Sequence, residues 1–456
     1  MFLWCVLVLV SLLSVATGTS AGVKARITQK GLEYGRAIGI ESLQQKLRTI
    51  QLKDVSGTEK LAIGKVEYSI TGMQIVNLGL PKSALRLVAG TGVMLSVGDA
   101  YISLRGNWRV KYSWIIKASG SFELAVSELA ISTTIAVKSD VTGRPTVSVT
   151  KCEATVGSVK VRFISHTIYL LFQICPLVTA SIAEMNKNLK TLNVLAKVDQ
   201  YAELEYSMVE SPVISNAMID LGLKGEFYNI GQHKEPPFSP RPFLLPSQDT
   251  NMLYIGVSAF SINSAGFVYH RAGALCLYIT NDMIPSGSLN RLNTRTFGKF
   301  IPQIGNMSPG LMMKLLVETV KEPIVTLEPN NMTVQASSKV TAYAIQPNSI
   351  LSPLFVLKLE ASVSAHIYVT GLKLAGHVTL NKIDMSLAES YVGPFQVTSL
   401  EDILTTVVKD VIIPKVNAGV KEGYPLPAIG KMQLVKSQLQ VLKDYLLIGT
   451  DVTLTG

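Results

Sequence analysis

Apolar and polar positions alternate with a period of two over much of this chain, the pattern of strands with one buried face. Residues 93–162 read as successive strands, among them Ser121-Phe122-Glu123-Leu124-Ala125-Val126 and 131–137, ahead of the turn Asp140-Val141-Thr142-Gly143-Arg144-Pro145. Strands this long predict a strongly twisted sheet. The texture returns in the second half, at 355–361 and 365–369, with Gly371 and Gly376 as punctuation. Helical stripes interrupt it at comparable places. Leu400, Ile403, Leu404, Val407, Val408, Val411 and Ile412 fall on one face of a helix that Pro414 is expected to end. In the first half Ile40, Leu43, Leu47 and Ile50 form a shorter stripe, and residues 164–183 form a second helical candidate interrupted by Pro176. Core packing is the default role for all of them.

A chain of 456 residues is too long for one core, so two domains are expected. The break falls at His233-Lys234-Glu235-Pro236-Pro237-Phe238-Ser239-Pro240-Arg241-Pro242, where four prolines in ten residues favour an extended connector. The expected boundaries are a leader at 1–21, a first domain at 22–230, the connector at 231–246 and a second domain at 247–456. Helix-bearing β domains on both sides suggest a duplicated plan.

Residues 2–15 are an apolar run containing Cys5, and the small residues Ala16, Gly18 and Ala21 follow as cleavage positions, so the chain reads as secreted. The run is shorter than a membrane span needs. Residues 163–183 lack Asp, Glu, Lys and Arg, but their polar residues and a cysteine favour a buried or lipid-lining helix over a span. Once the leader is cut, Cys152, Cys175 and Cys276 remain; Cys152 with Cys175 is the local pair in an oxidising compartment. Cys276 is then an odd thiol within an apolar run, expected to be a small buried hydrophobe. Asn306 and Asn331 open glycosylation sequons.

Charge is segregated. Residues 1–200 hold 23 Lys and Arg against 12 Asp and Glu, whereas the remainder is balanced at 19 against 20. Such asymmetry points to an anionic partner, and secretion turns the choice from nucleic acid toward acidic glycans or anionic lipid. The sequence is read as having no Gly-x-Ser-x-Gly elbow, no His-Glu-x-x-His, no Gly-Lys-Ser/Thr loop and no paired-cysteine metal motif, and its five histidines are scattered. The expectation is therefore a protein without catalysis, cofactor or metal. A secreted lipase is the rival from another class, and labelling with a serine-hydrolase probe separates the two.

Several strings carry a resemblance. Ala21-Gly22-Val23-Lys24-Ala25-Arg26-Ile27-Thr28-Gln29-Lys30-Gly31-Leu32 is the first. Leu223-Lys224-Gly225-Glu226-Phe227-Tyr228, Ala265-Gly266-Phe267-Val268-Tyr269, Asp282-Met283-Ile284-Pro285 and Gly393-Pro394-Phe395 follow along the chain. Ile413-Pro414-Lys415-Val416-Asn417, Gly423-Tyr424-Pro425-Leu426-Pro427 and Tyr445-Leu446-Leu447-Ile448-Gly449-Thr450-Asp451-Val452 complete the set. In order and spacing they resemble the lipid-binding family of bactericidal permeability-increasing, lipopolysaccharide-binding and plasma lipid-transfer proteins, closest to its lipopolysaccharide-binding branch.

The resemblance implies an α+β fold: an elongated boomerang of two similar barrels, each a twisted antiparallel sheet with helices, joined by a central β-sheet and the Pro-rich linker. It implies apolar pockets for phospholipid, with Leu32, Ile40, Leu43, Leu47 and Leu171 as first-pocket lining, and it matches Cys152 and Cys175 to the family's disulfide. It also implies a cationic tip on the first barrel that meets lipid A phosphates. The matching residues are Lys60 and Lys65 in the segment 53–65, and Arg105, Trp108, Arg109, Lys111, Trp114 and Lys117 in the next hairpin, with the cations for phosphate and the tryptophans for the headgroup boundary. Expected partners are lipopolysaccharide, phospholipid and the outer-membrane surface of Gram-negative bacteria, met by an extracellular or granule-stored monomer. A neutral-lipid transfer protein is the alternative, with less use for a cationic tip. One departure stands out: the segment between Cys152 and Cys175 is shorter than the family pattern, which removes part of the first pocket's expected wall.

Overall fold

The computed structural model describes residues 20–454, apart from 50, 62–63, 113–115, 163–167, 289 and 429–431. The first half runs β1 (Val23–Thr28), α1 (Gln29–Thr49), β2 (Val55–Leu61), β3 (Gly64–Gly79), β4 (Lys82–Val88), β5 (Gly92–Tyr112), β6 (Ile116–Ser139), β7 (Pro145–Arg162) and α2 (Ile168–Lys190). Short strands β8 (Leu195–Lys197), β9 (Ala202–Glu205), β10 (Val213–Ile214), β11 (Met218–Leu223) and β12 (Glu226–Asn229) complete it. The second half runs β13 (Leu253–Ser258), α3 (Ala259–Arg271), β14 (Cys276–Ile279), α4 (Thr294–Gly298), α5 (Pro302–Met307), β15 (Met313–Thr319), β16 (Ile324–Glu328), β17 (Asn331–Ile345), β18 (Leu351–Thr370) and β19 (Lys373–Ser390). After it come α6 (Glu401–Val407), α7 (Ile413–Glu422), β20 (Tyr424–Pro425), β21 (Met432–Leu442) and β22 (Tyr445–Leu454).

Each half builds its own antiparallel sheet, ordered β2-β3-β5-β6-β7 with β4 beside β5 in the first, and β14-β15-β17-β18-β19-β20 with β16 beside β17 in the second. A third sheet, β10-β11-β1-β13-β22-β21, takes strands from both halves. Its centre joins the opening and closing strings of the chain. Arg26 on β1 grips Asp220 with two hydrogen bonds of 2.6 and 2.8 Å and donates to the carbonyls of Leu245 and Pro246 at 3.3 and 2.9 Å. Lys30 reaches the carboxylate of Asp451 at 2.9 Å. Residues 233–252 hold neither helix nor strand. They are nevertheless anchored: Phe238 packs edge-on against Phe260 and Phe267, and Phe243 and Leu245 are buried with Tyr254 and Leu447.

The strands are longer than the alternation alone suggested. The expected strands at 121–126 and 131–137 are one continuous β6, which survives the interruption because Glu128 takes a left-handed φ of 55° where the register with β5 shifts. Likewise 355–361 and 365–369 are both parts of β18.

Two prolines were expected to break helices, and neither does. Before Pro414 the helix widens into a π turn over Val408–Ile412, in which the Ile413 amide bonds back to the Val408 carbonyl. Pro414 thus falls in the first turn of a new α segment, where its missing N–H costs little. Leu400, Ile403, Leu404, Val407, Val408 and Val411 are buried as expected, in the core of the second half. Helix α2 contains Pro176 within its length. It is tied to β7 on either side of that residue, by the Cys152–Cys175 disulfide and by Asn186.

Asn186 belongs to a recurring device. Its side-chain oxygen accepts from the Val147 amide on β7 at 2.8 Å, and its side-chain nitrogen donates to the Val147 carbonyl. Asn417 on α7 makes the same pair with Val378 on β19, at 2.6 and 3.1 Å, and Asn263 on α3 makes it with Val325 on β16, at 2.7 and 3.0 Å. In each case a helix satisfies backbone groups that a strand at the margin of its sheet leaves open. The duplicated plan is visible in this chemistry.

Candidate functional site

The two hairpins β2–β3 and β5–β6 lie side by side, because β3 pairs with β5. Register then decides which way each predicted residue points. Lys60 is opposite Lys65; Glu67 is opposite Lys111, which is opposite Lys117; and Arg109 and Arg105 lie on β5 two and six residues before Lys111. Directly paired residues share a face, as do residues two apart on a strand. Lys60, Lys65, Arg105, Arg109, Lys111 and Lys117 therefore stand on one face, all of them exposed. Two carboxylates share it. Glu67 sits between Lys65 and Lys111 at 3.5 and 3.6 Å, and Glu123 is opposite Arg105. Lys160 on β7, opposite Ala125, extends the same face; it was missed because only the strand order brings β7 beside β6.

Trp108 points the other way. It is opposite Gly120 and Ile70, on the face that carries buried Leu104 and Leu124. Its indole lies across Gly120, where a Cβ would come within 3.1 Å of Nε1. Tyr68 over Gly57 and Phe122 over Gly106 repeat the arrangement on the same face. Aromatic rings laid over cross-strand glycines keep those positions covered. The hairpin thus separates what the sequence interleaves, with cations on one side and aromatic surface on the other. Trp114 lies outside the described residues.

The expected pocket lining divides. Ile40, Leu43 and Leu47 pack from α1 against Leu80, Val97, Ala100 and Leu129, whereas Leu32 belongs to a separate cluster with Leu87, Ile214 and Ile219. Ile50 lies outside the described residues, and Leu171 falls on α2. A cleft of about 550 Å³ opens on β3, β5, β6 and β7, bounded by Val76, Leu104, Leu124 and Val159 but also by Glu123 and Lys160.

Cys152 and Cys175 are joined, and Cys276 is a free thiol. The expectation that Cys276 is buried fails: it is exposed, because β14 is the outermost strand of its sheet and leaves this side chain without a covering layer. Asn306 and Asn331 are exposed, at the end of α5 and at the start of β17. A Gly-x-Ser-x-Gly string does occur at Gly18-Thr19-Ser20-Ala21-Gly22, but Ser20 leads into β1 rather than into a strand-to-helix turn, the context a hydrolase nucleophile requires. Among the described residues no group of three or more His, Cys, Asp or Glu is arranged to hold a metal, and no helix is long and apolar enough to cross a membrane.

The sequence matches the N-terminal domain of the LBP / BPI / CETP family over residues 31–190 and its C-terminal domain over 196–454. The chain belongs to this family. It is 61% identical to bactericidal permeability-increasing protein of Sebastes schlegelii, with 100% of both chains covered. That alignment is 473 positions long, 17 more than the chain has residues, so the relative is longer at one or more places. Human lipopolysaccharide-binding protein is 32% identical, over 96% of this chain and 94% of its own. The crystal structure of lipopolysaccharide binding protein superposes with a TM-score of 0.58 at 31% identity, covering 95% of this chain and 99% of that one. The two-barrel family fold is therefore the fold of this chain, with the shared antiparallel central sheet joining its halves.

Proposed function

We propose that this protein is a secreted, non-enzymatic binder of lipopolysaccharide that meets lipid A phosphates with the cationic face of its first barrel and carries phospholipid in apolar pockets. The observation that carries the reading is the alignment of Lys60, Lys65, Arg105, Arg109, Lys111 and Lys117 on one face of adjoining hairpins, where register and not sequence spacing collects them. The names of its relatives agree in chemistry, one bactericidal and one lipopolysaccharide-binding. On this reading residues 22–230 form the anion-binding unit and 247–456 a neutral partner unit, and the monomer acts at the outer membrane of Gram-negative bacteria, with antibacterial or endotoxin-binding activity.

The test is lipopolysaccharide binding by the full chain across a salt series. Arg109→Ala with Lys111→Ala should weaken binding by about 1 kcal/mol per residue and flatten its salt dependence, because screening acts on these exposed charges. Trp108→Ala, on the opposite face, should lower affinity with the salt slope kept. Lys373→Ala with Lys382→Ala is the control in the neutral half. If the control pair weakens binding as much as the hairpin pair, the assignment to the first barrel is wrong.

A further inference from the structure

The lipid reading makes no use of a histidine pair on the second sheet. His366 on β18 and His377 on β19 are direct cross-strand partners. The hairpin fixes that register: Thr370 pairs with Lys373 around Gly371, whose φ of 56° suits the tight turn. Both histidines are exposed, and their rings lie 5.1 Å apart, centre to centre, tilted by 40°. The flanking pairs on the same face are Ser364 with Thr379 and Tyr368 with Ala375, so neither flanking pair sets a lysine or arginine beside the imidazoles. Lys373, farther along the hairpin, has its ammonium turned to the Glu422 carbonyl at 3.0 Å.

We propose that His366 and His377 form a bidentate site for a divalent transition-metal ion of the Zn²⁺ or Cu²⁺ class, with water in the remaining positions. Imidazole nitrogen is a preferred ligand of these ions. Nitrogens held ~2.0–2.1 Å from one ion are at most ~4.2 Å apart, a separation that rings with centres 5.1 Å apart reach by side-chain rotation alone. The backbone of a long paired hairpin holds the two ligands in place beforehand, so the second bond forms without further ordering of the chain. Among the described residues no carboxylate completes the set, which selects nitrogen-preferring ions over Ca²⁺ and Mg²⁺. The site stands independently of the lipopolysaccharide reading.

Full-length, untagged protein stripped with a chelator is titrated calorimetrically with Zn²⁺, and with Cu²⁺ under electron paramagnetic resonance. One Zn²⁺ per chain should bind through this pair. His366→Ala and His377→Ala should each weaken it by about 100-fold, since either change removes the linkage between ligands, and the double variant should add little. The Cu²⁺ spectrum should show coupling to two imidazole nitrogens and lose one in each single variant. His270→Ala, whose ring is engaged with Thr319 at 2.7 Å, should leave the site intact. Near-ultraviolet circular dichroism checks that the variants, altered only at exposed positions, remain folded. Failure of the parent protein to bind Zn²⁺, unchanged affinity in either single variant, or loss of the site in His270→Ala would overturn the proposal.

Discussion

Replacing Asn417 by alanine tests how a helix with no fully buried side chain stays docked. None of the side chains of α7 is buried, yet the helix runs along β19. Near its middle it is attached by the pair of hydrogen bonds between the Asn417 amide and the backbone of Val378, at 2.6 and 3.1 Å, and at its end by the Lys373 ammonium on the Glu422 carbonyl at 3.0 Å; Val378 is only 6% exposed. Alanine would leave one buried N–H and one buried C=O without partners, each costing about 1–3 kcal/mol if water does not reach them. Partial access of water at the sheet margin places the sum at about 2–4 kcal/mol, or roughly 5–10 °C in melting temperature for a unit of this size. Hydrogen exchange over residues 413–422 and 376–380, together with calorimetric melting, measures it. Faster exchange should be confined to those two segments. The equivalent change at Asn186 should cost less, because α2 is also held by the Cys152–Cys175 bond, and its cost should grow when that bond is reduced. Unchanged exchange and melting in Asn417→Ala would refute the idea that the amide clamp docks the helix.

Glu67→Gln should release Lys65 and Lys111 from their shared carboxylate, tightening lipopolysaccharide binding and steepening its salt dependence; a weaker complex would count against the cationic face. Alkylation under native conditions should modify Cys276 and spare Cys152 and Cys175, whose bond is worth about 3 kcal/mol in the chain-entropy model; peptide mapping reads both. The Lys30 ammonium, hydrogen-bonded to Asp451, holds that carboxyl below its usual pKa. The stability it gives is present above the unfolded-chain value of about 4 and is lost as pH falls through the lower folded value, so Asp451→Asn should flatten acid unfolding in that window while destabilising the protein at neutral pH. Extraction and mass spectrometry of gently purified protein should find diacyl phospholipid near two per chain, or one if the short Cys152–Cys175 segment closes the first pocket; lipid-free protein would argue against the pockets.

Local chemistry already determined much of this protein. The period of two fixed its strands, the apolar stripe from Leu400 to Val411 fixed a core helix, and the prolines at 236–242 fixed a connector without regular structure, because these signals depend on neighbours within a few residues. The dispersed strings from Ala21 to Val452 were enough to place the family. Tertiary structure decided the rest. Pro414 and Pro176 read as breakers, yet a π turn and a disulfide with an asparagine clamp carry the helices past them. Cys276 sits in an apolar run, but only strand order reveals that β14 is an edge and the thiol exposed. Lys160 joins the cations because β7 pairs with β6, and Trp108 leaves them because alternation turns it to the opposite face. His366 and His377 looked scattered because they are eleven residues apart, although they lie symmetrically about the turn at Gly371 and its register makes them neighbours. A sequence specifies which residues alternate, but which strand lies beside which, and in what register, is settled by long-range pairing that no local window contains.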